Sequence, residues 1–411
     1  MDKPKWNNTM LVLDEYEKRF AEARLNKKLR SPWERGVREE IIEEVKKMIS
    51  YDEALVPKIC GMRETKKIAY NGFDASLLEY ETWEGFKSRA TLFMPKTEEK
   101  VPLVFIFCGH GDGGRLFSSY VAMAQRLAEM GIAVFMQDNI GQGDREALGH
   151  HDAISPFFAG LTLQGLIVME SIALIRYMKN DPRFDSERIA SCGNSGGGTL
   201  NTFLAALAPE LCAIAASGYP SEFEYIFAKE KVHCACNLLP GALNGPEMWE
   251  IFSVFAPKPL LLESGINDRL IPIEYAERNA RKVHNAYLQM GAEERFSFVG
   301  CRTLHSWEIS DRYEIAKFFA RVFGLSEPAV EESDPIDTSE WKNPVGDDSL
   351  TVDGLVKKLT GVTVPSDAKL CEIFKPTYRG VTLCKDSIVE NLGRGDVMRI
   401  LAQMECALKK L

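Results

Sequence analysis

Hydrophobic and polar positions along the chain change their rhythm twice. Up to residue 64 the apolar positions follow a helical spacing. One run covers 10–29. A second follows Ser31-Pro32, with Ser31 as N-cap, Pro32 at the first helical position, and Val37, Ile41, Ile42 and Val45 on one face. From 65 to 324, short apolar runs alternate with longer helical patterns. Residues 77–82 and 89–93, either side of a Glu84-Gly85 turn, predict a hairpin. Strand-like runs then come at 103–108, 132–137, 188–192, 212–216, 259–263 and 295–299. Helical patterns cover 120–130, 157–179, 199–208, 274–290 and 311–323. This alternation predicts an α/β fold, a mostly parallel central sheet covered by helices on both faces, with the hairpin making the sheet mixed.

The second change comes after residue 324. Residues 325–349 are rich in Pro, Ser and acids without hydrophobic periodicity and predict an acidic linker. Residues 350–411 hold two modest helical patterns, the last with Val397, Ile400, Leu401, Met404 and Leu408 on one face. The chain thus divides into an N-terminal helical extension over 1–64, an α/β body over 65–324, the linker, and a C-terminal helical extension. Either extension is a candidate surface for homo-oligomer formation.

Composition narrows the function. With 411 residues, 45% of them hydrophobic, the chain can bury a large core and is too apolar to be disordered. A net charge of −9 argues against a nucleic-acid partner and against docking on an anionic membrane. Most of that charge is local, because residues 326–348 carry eight acids and one lysine. The acidity therefore says nothing about the substrate. The most apolar long stretch, 161–178, is interrupted by Gln164, Glu170 and Arg176, which suits a buried helix rather than a membrane span. The first residues lack the apolar run of a signal peptide, and ten cysteines are scattered without disulfide-scaffold spacing. Several, including Cys108, Cys192 and Cys212, fall in predicted strands. All are expected to be reduced, in a cytoplasmic protein.

The chemistry concentrates at residues 192–198, Cys-Gly-Asn-Ser-Gly-Gly-Gly. They contain Gly-x-Ser-x-Gly between a predicted strand and a predicted helix, the setting of a nucleophile elbow with Ser195 at its tip. The glycines permit a turn that a Cβ would crowd, and the Gly196 N–H at the helix start is a candidate oxyanion donor. A serine needs a base and an orienting acid. Asp268 follows the strand over 259–263, and His305 follows the strand over 295–299, which completes the chain order Ser, acid, His. Glu263, inside the strand, is the competing acid. The glycine-rich run 108–114 after the strand over 103–108 offers Gly111 or Asp112 as the second oxyanion donor, with His110 beside it as a candidate substrate contact. A cap-like insertion at about 218–257 carries Phe223, Tyr225, Phe227, Leu238, Leu239 and Trp249. Phe223 and Trp249 are candidate substrate contacts there, or else simply pack the insertion. Within it, His233-Cys234-Ala235-Cys236 lacks the paired spacing and fourth ligand of a zinc site, so no metal is expected.

These residues resemble the α/β-hydrolase superfamily over about 65–324, and within it the acetyl xylan esterase and dienelactone-hydrolase-like branches. The segment Gln137-Asp138-Asn139-Ile140-Gly141-Gln142-Gly143-Asp144 is similar to the Asp-x-Arg-Gly-Gln-Gly segment of acetyl xylan esterases. Three departures stand out. Ile140 occupies the arginine position, the elbow lacks a Gln after the serine, and Ser306 rather than Glu follows His305. The resemblance implies an α/β-hydrolase fold and a serine esterase that needs no cofactor and acts on a small-molecule ester. The rival readings are a peptidase or amidase on the same triad, and a non-catalytic binding or assembly protein of the same fold.

Overall fold

The computed structural model describes residues 30–363, apart from 112, 151–152, 154, 229–234, 238, 240–241 and 243–244. The predicted helix over 10–29, the stripe from Val397 to Leu408, Asp112, His233, Cys234 and Leu238 lie outside the described residues.

Among the described residues, nine strands form one sheet. They are β1 (Cys60–Ala69), β2 (Phe73–Glu81), β3 (Lys87–Pro95), β4 (Val101–Phe107), β5 (Ala133–Gln137), β6 (Phe184–Asn194), β7 (Ala213–Ser217), β8 (Leu260–Gly265) and β9 (Phe296–Cys301). Their order is β1-β2-β3-β5-β4-β6-β7-β8-β9. The strands from β1 to β3 pair antiparallel, as does β3 with β5, and the remaining pairs are parallel. Every predicted strand is present, but β1 is an addition. It lies at the sheet edge with only Met62 and Ile68 half-buried, so neither face leaves a hydrophobic period in the sequence. Its start at Cys60 also ends the helical extension short of residue 64.

Helices cover both faces: α1 (Arg35–Met48), α2 (Ser118–Glu129), α3 (Leu163–Lys179), α4 (Gly196–Leu207), α5 (Met248–Ser253), α6 (Ile273–Gln289), α7 (Ile309–Phe323) and α8 (Val352–Thr360). The first begins later than its sequence signal, because Ser31 closes a turn by accepting from Glu34 N at 2.9 Å and Glu34 becomes the N-cap. The pattern over 157–179 is also split. A one-turn helix (Ser155–Phe158) ends before Gly160, whose φ of 73° is open to glycine, and Thr162 then caps α3 by accepting from Gly165 N at 2.8 Å.

Alternation along β4 divides the core. Leu103, Phe105 and Phe107 face the cluster under α1, α3 and α4, whereas Val104 and Ile106 face the one under α2 and α7. Helix α3 is buried almost all round, Gln164 and Glu170 included, and Glu170 holds the equally buried Arg145 through two bonds of 2.8 Å. Among the described residues, no helix is long and apolar enough to cross a membrane.

Two expectations change. Residues 325–349 have no helix or strand, yet they are a docked strap rather than a free linker. Glu332 pairs with Arg126 and Arg312, Trp341 is buried against Tyr70 and Phe93, and the Asn343 and Val345 amides donate to Asp144. Composition registers the acids but not their partners on the body. The second change concerns the cysteines. Cys60, Cys108, Cys192, Cys212 and Cys301 are free thiols, but Cys236 is disulfide-bonded. Among the described residues one disulfide-bonded cysteine leaves no scaffold spacing to read, and its presence removes one support for a cytoplasmic setting.

Candidate active site

The site stands at the carboxyl ends of β4, β6, β8 and β9. Ser195 links β6 to α4 with φ 58° and ψ −117°, one of two non-glycine residues with positive φ among those described. Such a conformation costs energy and persists only where its surroundings enforce it. Here a Cβ on Gly197 would lie 1.8 Å from the Phe107 carbonyl oxygen, and one on Gly193 would lie 2.6 Å from it. The two glycines let α4 start directly against β4. Ser195 N donates to Ser217 O at 3.0 Å, which ties the elbow to β7.

His305 Nε2 lies 2.8 Å from Ser195 Oγ, and its Nδ1 lies 2.7 Å from Asp268 Oδ2. The other Asp268 oxygen accepts from Leu270 N at 2.7 Å and Ile271 N at 3.0 Å, which fixes the carboxylate in the loop after β8. The Asp268 side chain is fully buried and that of His305 is 25% exposed. A carboxylate accepts only, so Nδ1 carries the imidazole proton and Nε2 offers its lone pair to the serine. Glu263 is elsewhere. Burial, and next the neighbouring Asp311, push its carboxyl far above the usual range, so it stays neutral where ordinary carboxyls ionise. Asp311 accepts from Thr303 Oγ1 at 2.8 Å and Glu308 N at 2.9 Å. This buried acid pair braces the loop that carries His305.

The loop after β4 folds against the elbow at Gly109 and His110. A Cβ on Gly109 would lie 2.6 Å from Asn194 O and 2.7 Å from Ser195 Cβ, and the His110 ring lies 3.0 Å from where a Cβ on Gly196 would stand. Gly111 sits further out, its nearest such neighbour being Phe117 Cδ2 at 3.8 Å. The loop is pinned on both sides. Gly109 N donates to Tyr120 Oη at 2.8 Å, and Asn139 Nδ2 donates to Cys108 O at 2.8 Å. Beneath it Asp138 accepts from Arg115 N at 2.8 Å and pairs with the Arg115 guanidinium, which also meets Asp144 at 2.9 Å. The 137–144 segment therefore braces the loop. Ile140, in the arginine position of the resembled motif, is buried, and its carbonyl lies 2.6 Å from His150 Nδ1.

Within the insertion, Phe223 is fully buried in the larger core cluster and Trp249 is partly buried against it, a packing position for both. Tyr225 stacks on Tyr275 at 4.2 Å and donates to Leu270 O at 3.0 Å, so the insertion holds the loop that carries Asp268. Sequence reasoning missed three supporting groups. Asn194 Nδ2 donates to His305 O at 3.0 Å, Trp307 Nε1 donates to Ser217 Oγ at 2.6 Å, and Tyr120 holds Gly109. Only Asn194 had a signal, its place inside the Gly-x-Ser-x-Gly turn.

The sequence model of the acetyl xylan esterase (AXE1) family matches residues 64–233, a stretch that includes Ser195 but ends before Asp268 and His305. YtaP of Bacillus subtilis (strain 168), which its name assigns provisionally to the hydrolases, is 23% identical over 239 residues, 55% of this chain and 80% of that protein. Among solved structures, methylesterase BT1017 is similar with a TM-score of 0.57 at 17% identity, over 97% of this chain and 81% of that one. A CE15 glucuronoyl esterase from Teredinibacter turnerae T7901 is similar with a TM-score of 0.55 at 13% identity, over 72% of this chain and 87% of that one. The fold is the α/β-hydrolase fold. The family match supports a carboxylic ester hydrolase.

Proposed function

We propose that this chain hydrolyses a carboxylic ester, an acetyl or other short acyl ester of a sugar or small molecule, through an acyl-enzyme on Ser195. The observation that carries the reading is the unbroken line from Asp268 through His305 to Ser195, with bonds of 2.7 and 2.8 Å. The match to a family named for acetyl xylan supports the choice of ester and acyl group.

The steps follow from the geometry. His305 Nε2 takes the Ser195 hydroxyl proton as Oγ attacks the ester carbonyl, and buried Asp268 stabilises the imidazolium that forms. The carbonyl oxygen gains charge beside the Gly196 N–H at the start of α4 and a second N–H from the loop after β4, for which the sequence offers Gly111 and Asp112. Collapse of the tetrahedral intermediate expels the alcohol, which takes the proton from His305. Water then repeats the attack on the acyl-enzyme, with His305 again as base. No step needs a cofactor.

A fluorophosphonate probe tests the nucleophile. Wild type is expected to be labelled and Ser195→Ala to be unlabelled; equal labelling of the two would sink the proposal. Faster turnover of aryl acetates than of the matching aryl amides is expected of an esterase, and the reverse order would favour the amidase.

A further inference from the structure

His110, in the loop after β4, and His150 are two histidines to which the hydrolytic steps give no work. His110 Nε2 lies 2.9 Å from His150 Nε2 and 3.5 Å from Cys236 Sγ, which the insertion brings in from the far side. His150 Nδ1 is 2.6 Å from the Ile140 carbonyl. A carbonyl only accepts, so Nδ1 holds the proton and the Nε2 lone pair faces His110. That is how a metal-ligating histidine is set, with the outer N–H on a carbonyl and the inner nitrogen directed at the ion. The lone pair is also over-subscribed. Both His110 Nε2 and the Gln142 amide nitrogen, the latter at 3.2 Å, approach the same atom. Gln142 Oε1 meanwhile is buried without a hydrogen-bond partner. Turning that amide over exchanges its O and N and sets the oxygen beside the His150 nitrogen, where a bound cation would receive it.

Tetrahedral bonds of about 2.0–2.1 Å to nitrogen and about 2.3 Å to sulfur set a nitrogen and a sulfur ligand roughly 3.5 Å apart, and two nitrogen ligands roughly 3.3 Å apart. The observed separation of His110 Nε2 from Cys236 Sγ is 3.5 Å, and the 2.9 Å between the two Nε2 atoms has to open by a few tenths of an ångström to admit the ion. All three ligand atoms lie within 4.8 Å of one another. The other such cluster among the described residues, Glu263, Cys301 and Asp311, is already accounted for by a proton on Glu263.

We propose that His110, His150 and Cys236, with Gln142 alongside, form a thiol-gated site for a zinc-class divalent cation. In the oxidised chain Cys236 is disulfide-bonded and its sulfur is no thiolate ligand. A dithiol reductant gives the disulfide two electrons and two protons, becomes a cyclic disulfide itself, and frees the Cys236 thiol. Cation binding then releases the thiol proton, and the His110 proton moves from Nε2 to Nδ1, so that both Nε2 atoms and the sulfur face the ion.

Cobalt(II) is the probe. Reduced, chelator-treated full-length protein is expected to give a thiolate-to-cobalt charge-transfer band that zinc abolishes by displacement, and the oxidised protein to give none. Loss of an outer-shell partner alone costs about 10–100-fold in affinity. Cys236→Ser, which removes a ligand, is expected to lose the band and at least about 100-fold in zinc affinity. In a second arm, zinc is expected to slow iodoacetamide alkylation of Cys236, followed by peptide mass spectrometry. Absence of the band in reduced wild type, zinc affinity unchanged in Cys236→Ser, or alkylation indifferent to zinc would each overturn the site. None of these readouts involves ester hydrolysis, so the site and the esterase reading fail separately.

Discussion

Asp268→Asn isolates the part of the triad that geometry constrains most. The Asp268 oxygen that accepts from Leu270 N and Ile271 N at 2.7 and 3.0 Å has to remain an oxygen, since an amide NH2 there would face two N–H donors. The NH2 of the asparagine is thereby directed at His305 Nδ1, 2.7 Å away. An N–H against an N–H is repulsive, so the imidazole moves its proton to Nε2 and points it at Ser195 Oγ. The base then has no lone pair for the serine proton. A wrong tautomer of this kind costs about 10⁴-fold in kcat, or about 5.5 kcal/mol of barrier. Steady-state turnover of an aryl acetate reads the loss, with circular dichroism and thermal melts to establish that the isosteric variant folds. Glu263→Gln is the matched control. It replaces a neutral acid with a neutral amide and is expected to leave kcat within a few-fold of wild type. A loss below about tenfold in Asp268→Asn, or one of equal size in Glu263→Gln, would refute the assignment of the acid.

Three further outcomes follow from the same geometry. Gly109→Ala places a Cβ 2.6 Å from Asn194 O and 2.7 Å from Ser195 Cβ, so the loop has to withdraw; displacing one oxyanion donor is expected to lower kcat by about 10²-fold or more, and unaltered turnover would exclude this loop from the oxyanion hole. Glu170→Ala leaves the fully buried Arg145 without its carboxylate; a loss of about 3–5 kcal/mol is expected in urea denaturation, and less than about 1 kcal/mol would mean the pair contributes nothing. The raised Glu263 carboxyl ties stability to pH. Below about pH 4.3 folded and unfolded chains both hold the proton; above it only the unfolded chain ionises, so stability falls as pH rises, by at most about 1.4 kcal/mol per unit. Glu263→Gln removes that slope, so its advantage over wild type is expected to widen as pH rises above the ordinary carboxylate range, until the folded carboxyl itself ionises; a constant difference would place the proton elsewhere.

The parallel part of the sheet and the chain order of Ser195, Asp268 and His305 were legible for one reason. Strand β4, and β6 from Ile189 onward, are buried on both faces, and a run of apolar and small residues followed by a glycine turn marks both the strand and the loop that leaves its carboxyl end. Ser195, Asp268 and His305 each occupy such a loop. Edge strand β1 buries neither face and so wrote no period. A loop position already favours Asp268 over Glu263, which lies inside its strand, and the fold adds that Asp268 meets the imidazole while Glu263 lies beside Asp311. Tyr120 and Trp307 were illegible as site residues because each reaches the loops from a neighbouring element, with nothing local to flag it. The strap was misread for the opposite reason: its composition is that of a solvated linker, and its order comes from Arg126, Arg312 and Asp144 far away in the chain.

That strap also sets a sequence of events during synthesis. It leaves α7 and returns to the antiparallel side of the sheet, where Trp341 covers Tyr70 and Phe93 and the Asn343 and Val345 amides reach Asp144. A ribosome has therefore made the serine, the acid and the histidine before it makes the residues that seal the first strands. Until then the nascent body holds aromatic surface open to water, and Asp144, partner of the arginine beneath the oxyanion loop, is short of two donors. A chain stopped at Gly324 is expected to hold that unfinished surface, and so to aggregate more readily than the full chain.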